Sequence, residues 1–272
     1  MDELDVVRSE TVDPAEAARF AALAREWWDP DGTFRTLHKF NPVRLGYVRD
    51  VAARHFGRDP RGPGALAGLR ALDIGCGGGL LAEPLARLGA DVLGADPARR
   101  NVEVARRHAA EQELAVDYRC TSAEALDAAG ERFDLVLAME VVEHVADLGL
   151  FVEACGRLAK PGGLVFVATL NRTLRAFALA VVGAEYVLGW LPRGTHDWRK
   201  FVTPEELCAA LRRAGLTPLR TDGVVYHPLA DEWRLSDDTA VNYMVAAERP
   251  VGAARDPRDI RPQPSGSRRG PG

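Results

Sequence analysis

The sequence predicts an α/β fold built on a mostly parallel sheet. From residue 69 to about residue 248, short apolar stretches alternate with helical ones, which is typical of successive βαβ units. A glycine-rich loop at residues 75–79 directly follows the first predicted strand, where such sheets commonly bind ligands. The chain has 272 residues, 47% of them hydrophobic, and can therefore bury a substantial core.

Seven strands and four main helices follow from the apolar pattern. We expect strands at residues 69–74, 91–95, 115–119, 133–138, 164–169, 216–225 and 241–247, the last one antiparallel. We expect helices at residues 80–88, 98–112, 148–159 and 204–214. The last helix has the clearest start, because Thr203 and Glu206 can form a capping box around Pro204. Gly215 provides its stop.

Three regions divide the chain. Residues 1–64 form a predicted N-terminal helical cap, which is rich in aromatic side chains and ends in a Gly/Pro loop. Residues 65–250 form the α/β domain, with a helical insertion at about 170–200 that is too long for a simple connection. Residues 251–272 are rich in Arg, Pro, Gly and Ser, which predicts a disordered tail.

The composition argues against several classes of protein. The formal net charge of −4 gives no support for nucleic-acid binding. The four cysteines are far apart and form no C-x-x-C pair, so neither a zinc framework nor a disulfide scaffold is expected. The acidic start of the chain is unlike a signal peptide, and no run of about 18 apolar residues suggests a transmembrane span. We therefore expect a cytoplasmic protein.

The glycine loop is the strongest local signal for a ligand. It begins after Asp73 and contains Gly75 and Gly77, at the junction between a predicted strand and a predicted helix. A dinucleotide fingerprint would place its third glycine at position 80, but that residue is Leu80. An acidic residue followed by G-x-G-x-G resembles instead the first motif of class I methyltransferases. In that family the loop wraps the amino-acid end of S-adenosylmethionine (SAM).

Two further segments are candidates for the remainder of this cofactor. Asp96 ends the second predicted strand and could accept hydrogen bonds from both ribose hydroxyls. Taken alone, Asp96 could equally well cap the helix that follows Pro97. Ala123 belongs to a segment after the third strand, where adenine contacts are expected.

An acid–histidine cluster follows the fourth predicted strand. If this stretch is helical, Glu140, Glu143 and His144 share one face at i, i+3 and i+4 spacing. His144, with Glu143, could serve as a general base for an oxygen nucleophile, or all three side chains could hold a divalent cation. The alternative is a solvated helix start, with acids near the positive end of the dipole.

These motifs together resemble the ubiquinone-biosynthesis O-methyltransferases, that is, the 2-polyprenyl-6-hydroxyphenol methyltransferase / 3-demethylubiquinol 3-O-methyltransferase family. The resemblance runs from about residue 20 to 249 and includes WWD at 27–29, GTF at 32–34, LHKFNPVR at 37–44, MEVVEH at 139–144, THDWRKF at 195–201 and VNYM at 241–244. One departure is His227, where the family pattern carries Asn.

The resemblance implies a Rossmann-like domain that uses SAM to methylate a phenolic oxygen of a polyprenylated phenol or quinol. It implies that Arg44, Gly75, Asp96 and Met139 contact SAM, although spacing alone would make Arg44 a surface helix residue. It also implies that magnesium binds at Glu140, Glu143 and His144, as in eukaryotic members.

The insertion contains a mainly apolar stretch at residues 176–191, flanked by arginines and too short to span a membrane. We expect residues 172–193 to contact the membrane surface peripherally, on the inner face of the plasma membrane, and to receive a polyprenyl substrate there. The alternative is a buried helix that covers the pocket.

Three other functions remain alternatives. A member of the same family could methylate a different phenolic metabolite. An NAD-linked oxidoreductase is disfavoured by Leu80, and a protein that binds the cofactor without catalysis is disfavoured by the intact Glu143 and His144.

Overall fold

A computed structural model describes residues 6–178 and 198–252 and confirms the predicted α/β fold. The described residues form one eight-stranded sheet. Its strands are β1 (Arg70–Ile74), β2 (Asp91–Asp96), β3 (Asp117–Cys120), β4 (Phe133–Met139), β5 (Ala159–Leu170), β6 (Thr217–His227), β7 (Glu232–Ser236) and β8 (Asn242–Glu248). Their order across the sheet is β3-β2-β1-β4-β5-β8-β6-β7.

The five neighbouring strands β3, β2, β1, β4 and β5 are parallel. Strand β8 runs antiparallel to both β5 and β6. The antiparallel last strand was therefore predicted correctly. The eighth strand, β7, was not predicted, and it pairs with β6 as a hairpin at the sheet edge. Its sequence, EWRLS, alternates polar and apolar residues, but the run has only five residues and two apolar side chains, which is a weak signal.

Eight helices accompany the described part of the sheet. They are α1 (Pro14–Ala22), α2 (Arg35–His55), α3 (Ala82–Arg87), α4 (Arg99–Glu111), α5 (Ala123–Ala128), α6 (Leu148–Leu158), α7 (Leu174–Ala176) and α8 (Pro204–Arg213). Helix α8 has the predicted capping box, with the Thr203 side chain accepting from the Glu206 amide and the Glu206 side chain accepting from the Thr203 amide. Helix α5 is only six residues long and was not predicted.

The central strands β1, β4, β5 and β8 are buried on both faces by helices, whereas β6 and β7 at the edge are largely exposed. Along β4, Leu135 and Leu137 pack in the layer formed with α2, α3 and α4. The intervening Val136 and Ala138 pack in the opposite layer, with α5, α6 and α8. This alternation leaves the carboxyl ends of β1, β2 and β4 as the place where polar side chains can converge.

The chain before α1 lies across that edge in an extended conformation. Val6 forms a bridge with Ala98, and Val12 forms a bridge with Val145. Most of the predicted insertion (residues 179–197) and of the predicted tail (residues 253–272) lies outside the described residues. Within the described ranges, no helix is both long and apolar enough to cross a membrane.

Candidate active site

A cavity of about 960 Å³ opens at the carboxyl ends of β1, β2 and β4. The N-terminal helices α1 and α2 and the β6–β7 hairpin complete its walls. Nine of the predicted site residues line it: Arg44, Asp73, Gly75, Asp96, Ala123, Met139, Glu140, Glu143 and His144. Gly77 was predicted to bind the cofactor but does not line the cavity. Of the histidines in the described residues, His144 alone does so.

The glycine loop is shaped by contacts within the protein. Gly75 and Gly77 have φ angles of 69° and 53°, which strongly favour glycine. A Cβ at Gly77 would lie 2.4 Å from Cζ2 of Trp27, whose indole covers this glycine. The Gly75 and Cys76 amides both donate to the carbonyl of Ala95, at 2.8 and 3.1 Å. The glycines therefore allow Trp27 to pack closely against the loop. The Gly75 and Cys76 amides already have an acceptor within the protein.

The aromatic segment from the N-terminal region packs onto this loop. The Trp27 indole stacks on Phe34 with 3.8 Å between ring centroids and donates from Nε1 to Asn101 at 3.0 Å. Trp28 donates from Nε1 to the Gly78 carbonyl at 2.9 Å and stacks on His108. Sequence reasoning had marked these tryptophans only as part of a resemblance, since nothing local indicates a contact 50 residues away.

Asp96 is buried and accepts three hydrogen bonds from the protein. Its Oδ2 accepts from the Gly77 amide at 3.0 Å, and its Oδ1 accepts from the Ala98 amide at 2.8 Å and from Asn101 Nδ2 at 3.1 Å. Asp96 therefore does bond the backbone at the start of the next helix, which was the alternative to ribose binding. Because a carboxylate has about four acceptor sites, little capacity remains for two ribose hydroxyls.

Arg44 and Asp73 are two cavity-lining residues of opposite charge, and each has a buried polar atom without a hydrogen-bond partner among the described residues. Arg44 is only 4% exposed, so the expectation of a surface residue from spacing alone was wrong. Its Nη2 donates to Asn41 at 3.0 Å, whereas its buried Nε has no hydrogen-bond partner among the described residues. Asp73 Oδ2 is likewise buried without a partner. Burial raises the pKa of Asp73 to about 7, although the nearby Arg44 guanidinium acts to lower it.

Buried polar atoms normally find hydrogen-bond partners, so an orphaned guanidinium nitrogen and carboxylate oxygen in one cavity indicate a ligand with both charges. An α-amino acid group has this combination, because its carboxylate can bond arginine and its ammonium can bond aspartate. The donor set therefore fits the amino-acid end of SAM.

The segment after β4 is not an α-helix, so the condition for a shared face of Glu140, Glu143 and His144 is not met. Glu140 has a φ of 61°, in the left-handed region, and only Val142–His144 form a single 3₁₀ turn. The expected common face at i, i+3 and i+4 therefore does not exist. A left-handed residue at a non-glycine position is uncommon and leaves no signal in the sequence.

Glu143 is 4% exposed, and its Oε2 accepts from the Thr169 hydroxyl at 2.9 Å. Its Oε1 is buried without a hydrogen-bond partner among the described residues. Burial, and secondarily the charge of Glu140, raise the pKa of Glu143 to about 8.

The predicted metal ligands do not form a metal site here. The described residues contain no group of three or more His, Cys, Asp or Glu side chains placed to hold a metal ion. The left-handed Glu140 precedes the turn that carries Glu143 and His144, and Nδ1 of His144 already contacts Glu16 at 3.1 Å. Sequence reasoning missed this contact, which joins residues 128 positions apart.

Comparisons with known proteins identify the fold. Residues 72–167 match the family model described as "Methyltransferase domain". The magnesium protoporphyrin IX methyltransferase from Synechocystis PCC 6803, solved with bound SAH, superposes with a TM-score of 0.58 at 21% identity, covering 86% of this chain and 95% of that one. A SAM-dependent methyltransferase from Thermotoga maritima gives a TM-score of 0.56 at 20% identity, covering 86% and 98%. These likenesses establish the class I SAM-dependent methyltransferase fold.

Sequence relatives establish the family. The ubiquinone biosynthesis O-methyltransferase of Methylobacterium sp. (strain 4-46) is 63% identical over 89% of this chain and 97% of its own length. That of Chelativorans sp. (strain BNC1) is 61% identical over 91% of this chain and 98% of its own length. The chain therefore belongs to the family of ubiquinone biosynthesis O-methyltransferases.

Proposed function

We propose that the protein transfers a methyl group from SAM to a phenolic hydroxyl of a polyprenylated catechol or phenol in ubiquinone biosynthesis. The reactions are the conversion of demethylubiquinol to ubiquinol and of 2-polyprenyl-6-hydroxyphenol to its methoxy product. The observation that best supports the cofactor is the pair of orphaned charged atoms, Arg44 Nε and Asp73 Oδ2, buried in the same cavity. The high identity to named relatives supports the substrate class.

The cofactor would be held from several elements. Arg44 would bond its carboxylate and Asp73 its ammonium, both as charge-assisted hydrogen bonds. The cavity wall at Asp96 and Ala123 would accommodate the ribose and adenine, with Met139 lining the space between. When bound, SAM supplies the methyl group that the phenolic oxygen takes.

The residues of the protein would assist the reaction by removing the proton from the phenolic oxygen. A phenol with a pKa near 10 is only about one part in a thousand ionised at pH 7. His144 lines the cavity and would accept the phenolic proton as the oxygen bonds to the methyl carbon and the methyl–sulfur bond breaks. General-base assistance of this kind contributes about 10²–10⁴ in rate. Buried Glu143 lines the same cavity, and its Oε1, unpartnered within the described part of the chain, would be available to the substrate.

The family resemblance implies magnesium, but the proposed reaction does not use it. The charges of Glu140 and Glu143 interact, but no group of three such side chains among the described residues is placed to hold a metal ion. We therefore propose that His144 acts as a base and that turnover does not depend on magnesium. The test is to measure methyl transfer after exhaustive chelation and again after adding magnesium back. A loss on chelation that only magnesium reverses would contradict the proposal.

The reaction itself is tested by mass spectrometry of methyl transfer to short-chain analogues of demethylubiquinol and of 2-polyprenyl-6-hydroxyphenol. Methylated product from these analogues is expected. Product from unrelated phenols alone would favour the alternative, an O-methyltransferase of the same family that acts on another phenolic metabolite. If no phenol is methylated although SAH binds, the catalytic proposal is wrong.

We also propose that residues 172–193 contact a membrane surface peripherally, so that the protein takes its polyprenyl substrate from the cytoplasmic face of the plasma membrane. Residues 179–197 lie outside the described structure, and the support comes from the flanking segment. Leu174 and Phe177, next to Arg175, are 80% and 41% exposed. Apolar side chains beside arginine are suited to an anionic membrane interface.

The membrane proposal is tested by co-sedimentation with vesicles that contain anionic lipid. A Leu174→Asp/Phe177→Asp variant should sediment much less than the unchanged protein. Leu150→Asp is the control, because Leu150 on α6 is as exposed as Phe177 at 41%. Equal sedimentation of all three proteins, or of none, would support the alternative of a helix that only covers the pocket.

A further inference from the structure

The imidazole of His144 is held by two side chains of helix α1. Glu16 Oε2 lies 3.1 Å from Nδ1 of His144. The ring of Phe20 packs edge-to-face against the imidazole, with 5.1 Å between centroids and 78° between planes. Glu16 and Phe20 are four residues apart and therefore lie on the same face of α1.

The position of α1 relative to His144 is fixed by the chain around it. The carbonyl of Thr11 accepts from the Ala146 amide at 2.9 Å, and Val12 forms a bridge with Val145. The segments directly before α1 and directly after His144 are thus joined. A shift of helix α1 would therefore also move the segment that follows His144.

Glu16 itself is restrained by cations. Arg19 Nη2 lies 2.7 Å from its Oε2, and Lys200 Nζ lies 3.6 Å from its Oε1. Lys200 also contacts Asp13, the N-cap of α1, at 3.1 Å. Cations around a carboxylate favour its ionised form, which accepts hydrogen bonds and cannot donate them.

We propose that Glu16 is a positioning residue that keeps the hydrogen of His144 on Nδ1 and so presents Nε2 as the nitrogen that takes the phenolic proton. This inference rests on the proposed function and deepens it. The hydrogen bond orients the ring, fixes the tautomer and stabilises the imidazolium formed when the phenolic proton arrives. Glu16 does not touch the reacting atoms in this scheme.

The first test measures the tautomer directly. Long-range ¹⁵N–¹H NMR of the full chain with the imidazole in its neutral form should show hydrogen on Nδ1 in the unchanged protein. Glu16→Gln retains the shape of the side chain, but an amide can both donate and accept, so a mixture of tautomers is expected. Glu10→Gln is the matched control, since Glu10 is exposed on the same N-terminal segment.

The second test separates positioning from binding. Glu16→Gln should lower kcat about 10- to 100-fold and leave the KM for the phenol and the affinity for SAH within about twofold. Glu16→Asp, which retains a carboxylate, should recover part of kcat. An unchanged tautomer, or an unchanged kcat, in Glu16→Gln would overturn the proposal. The NMR measurement needs no turnover, so failure of the proposed reaction would appear separately, as inactive unchanged protein with the tautomer shift still present.

Discussion

Replacement of Arg44 by methionine should weaken cofactor binding and leave the folded protein largely intact. Arg44 is 4% exposed on α2, and its Nε has no hydrogen-bond partner among the described residues. An apolar side chain avoids the cost of desolvating a buried ion, but it removes the cation that acts on Asp73. Because the pKa of Asp73 is already raised to about 7, this carboxyl can take up a proton and so limit the loss of stability. The unliganded protein should therefore melt within a few degrees of the unchanged protein.

The liganded protein should respond differently, because the cofactor carboxylate would lose its cation. A hydrogen bond to a charged group contributes about 1.5–3 kcal/mol, so the Kd for SAH should rise about 10- to 150-fold. At SAH equal to 100 times the unchanged Kd, binding stabilises the fold by about 2.7 kcal/mol. A 30-fold weaker Kd reduces that stabilisation to about 0.9 kcal/mol.

Calorimetry gives the Kd, and thermal melts with and without SAH give the stabilisation. Arg54→Met is the matched control, because Arg54 lies on the same helix with a side chain that is 64% exposed. The control should bind SAH like the unchanged protein. If Arg44→Met also does so, the assignment of the cofactor's amino-acid end to this part of the cavity is wrong.

Three further predictions concern other parts of the site. Because the pKa of Asp73 is raised to about 7 in the fold and is near 3.9 in unfolded chains, only the folded state holds this proton between those values. Stability should therefore fall as the pH rises from about 4 to 7, and Asp73→Asn should flatten that fall in pH-dependent melts. His144→Ala should lower kcat about 10²- to 10⁴-fold with unchanged SAH affinity, measured by calorimetry; normal turnover would remove His144 as the base. Gly77→Ala should lower Tm, since the new Cβ would lie 2.4 Å from Trp27 at a φ of 53°. Its control is Gly46→Ala within α2, where a new Cβ has nothing within 4 Å and should raise stability by about 0.5–1 kcal/mol.

The core of the fold could be predicted because its signals are local. Strands such as β4 are apolar apart from one residue, Asp134, and α8 is bounded by a capping box and a glycine. The β7 strand and the helix α5 were missed because five or six residues are too few for a periodic pattern to stand out from the surrounding sequence. The glycine loop could also be predicted, because its glycines are consecutive in the sequence. The packing of the Trp27 ring over Gly77 could not be predicted in this way.

The polar site was harder to predict because it depends on which polar residue faces inward. Arg44 lies on a helix with several arginines, and periodicity alone cannot identify the one that enters a cavity. The left-handed backbone at Glu140 removed the predicted shared face, and with it the simplest argument for a metal site. The family resemblance identified Arg44, but it gave no indication of the contact between Glu16 and His144.

The contacts of the N-terminal region show why the site could not be assembled from the α/β domain alone. Trp27 covers the glycine loop, Arg44 supplies the buried cation, and Glu16 holds the imidazole of His144. All three residues precede the first strand, so the α/β domain alone lacks the cover of the loop, the buried cation and the carboxylate that contacts His144. We therefore expect removal of the N-terminal helices to abolish SAH binding even if the sheet itself still forms, and retained binding measured by calorimetry would contradict this.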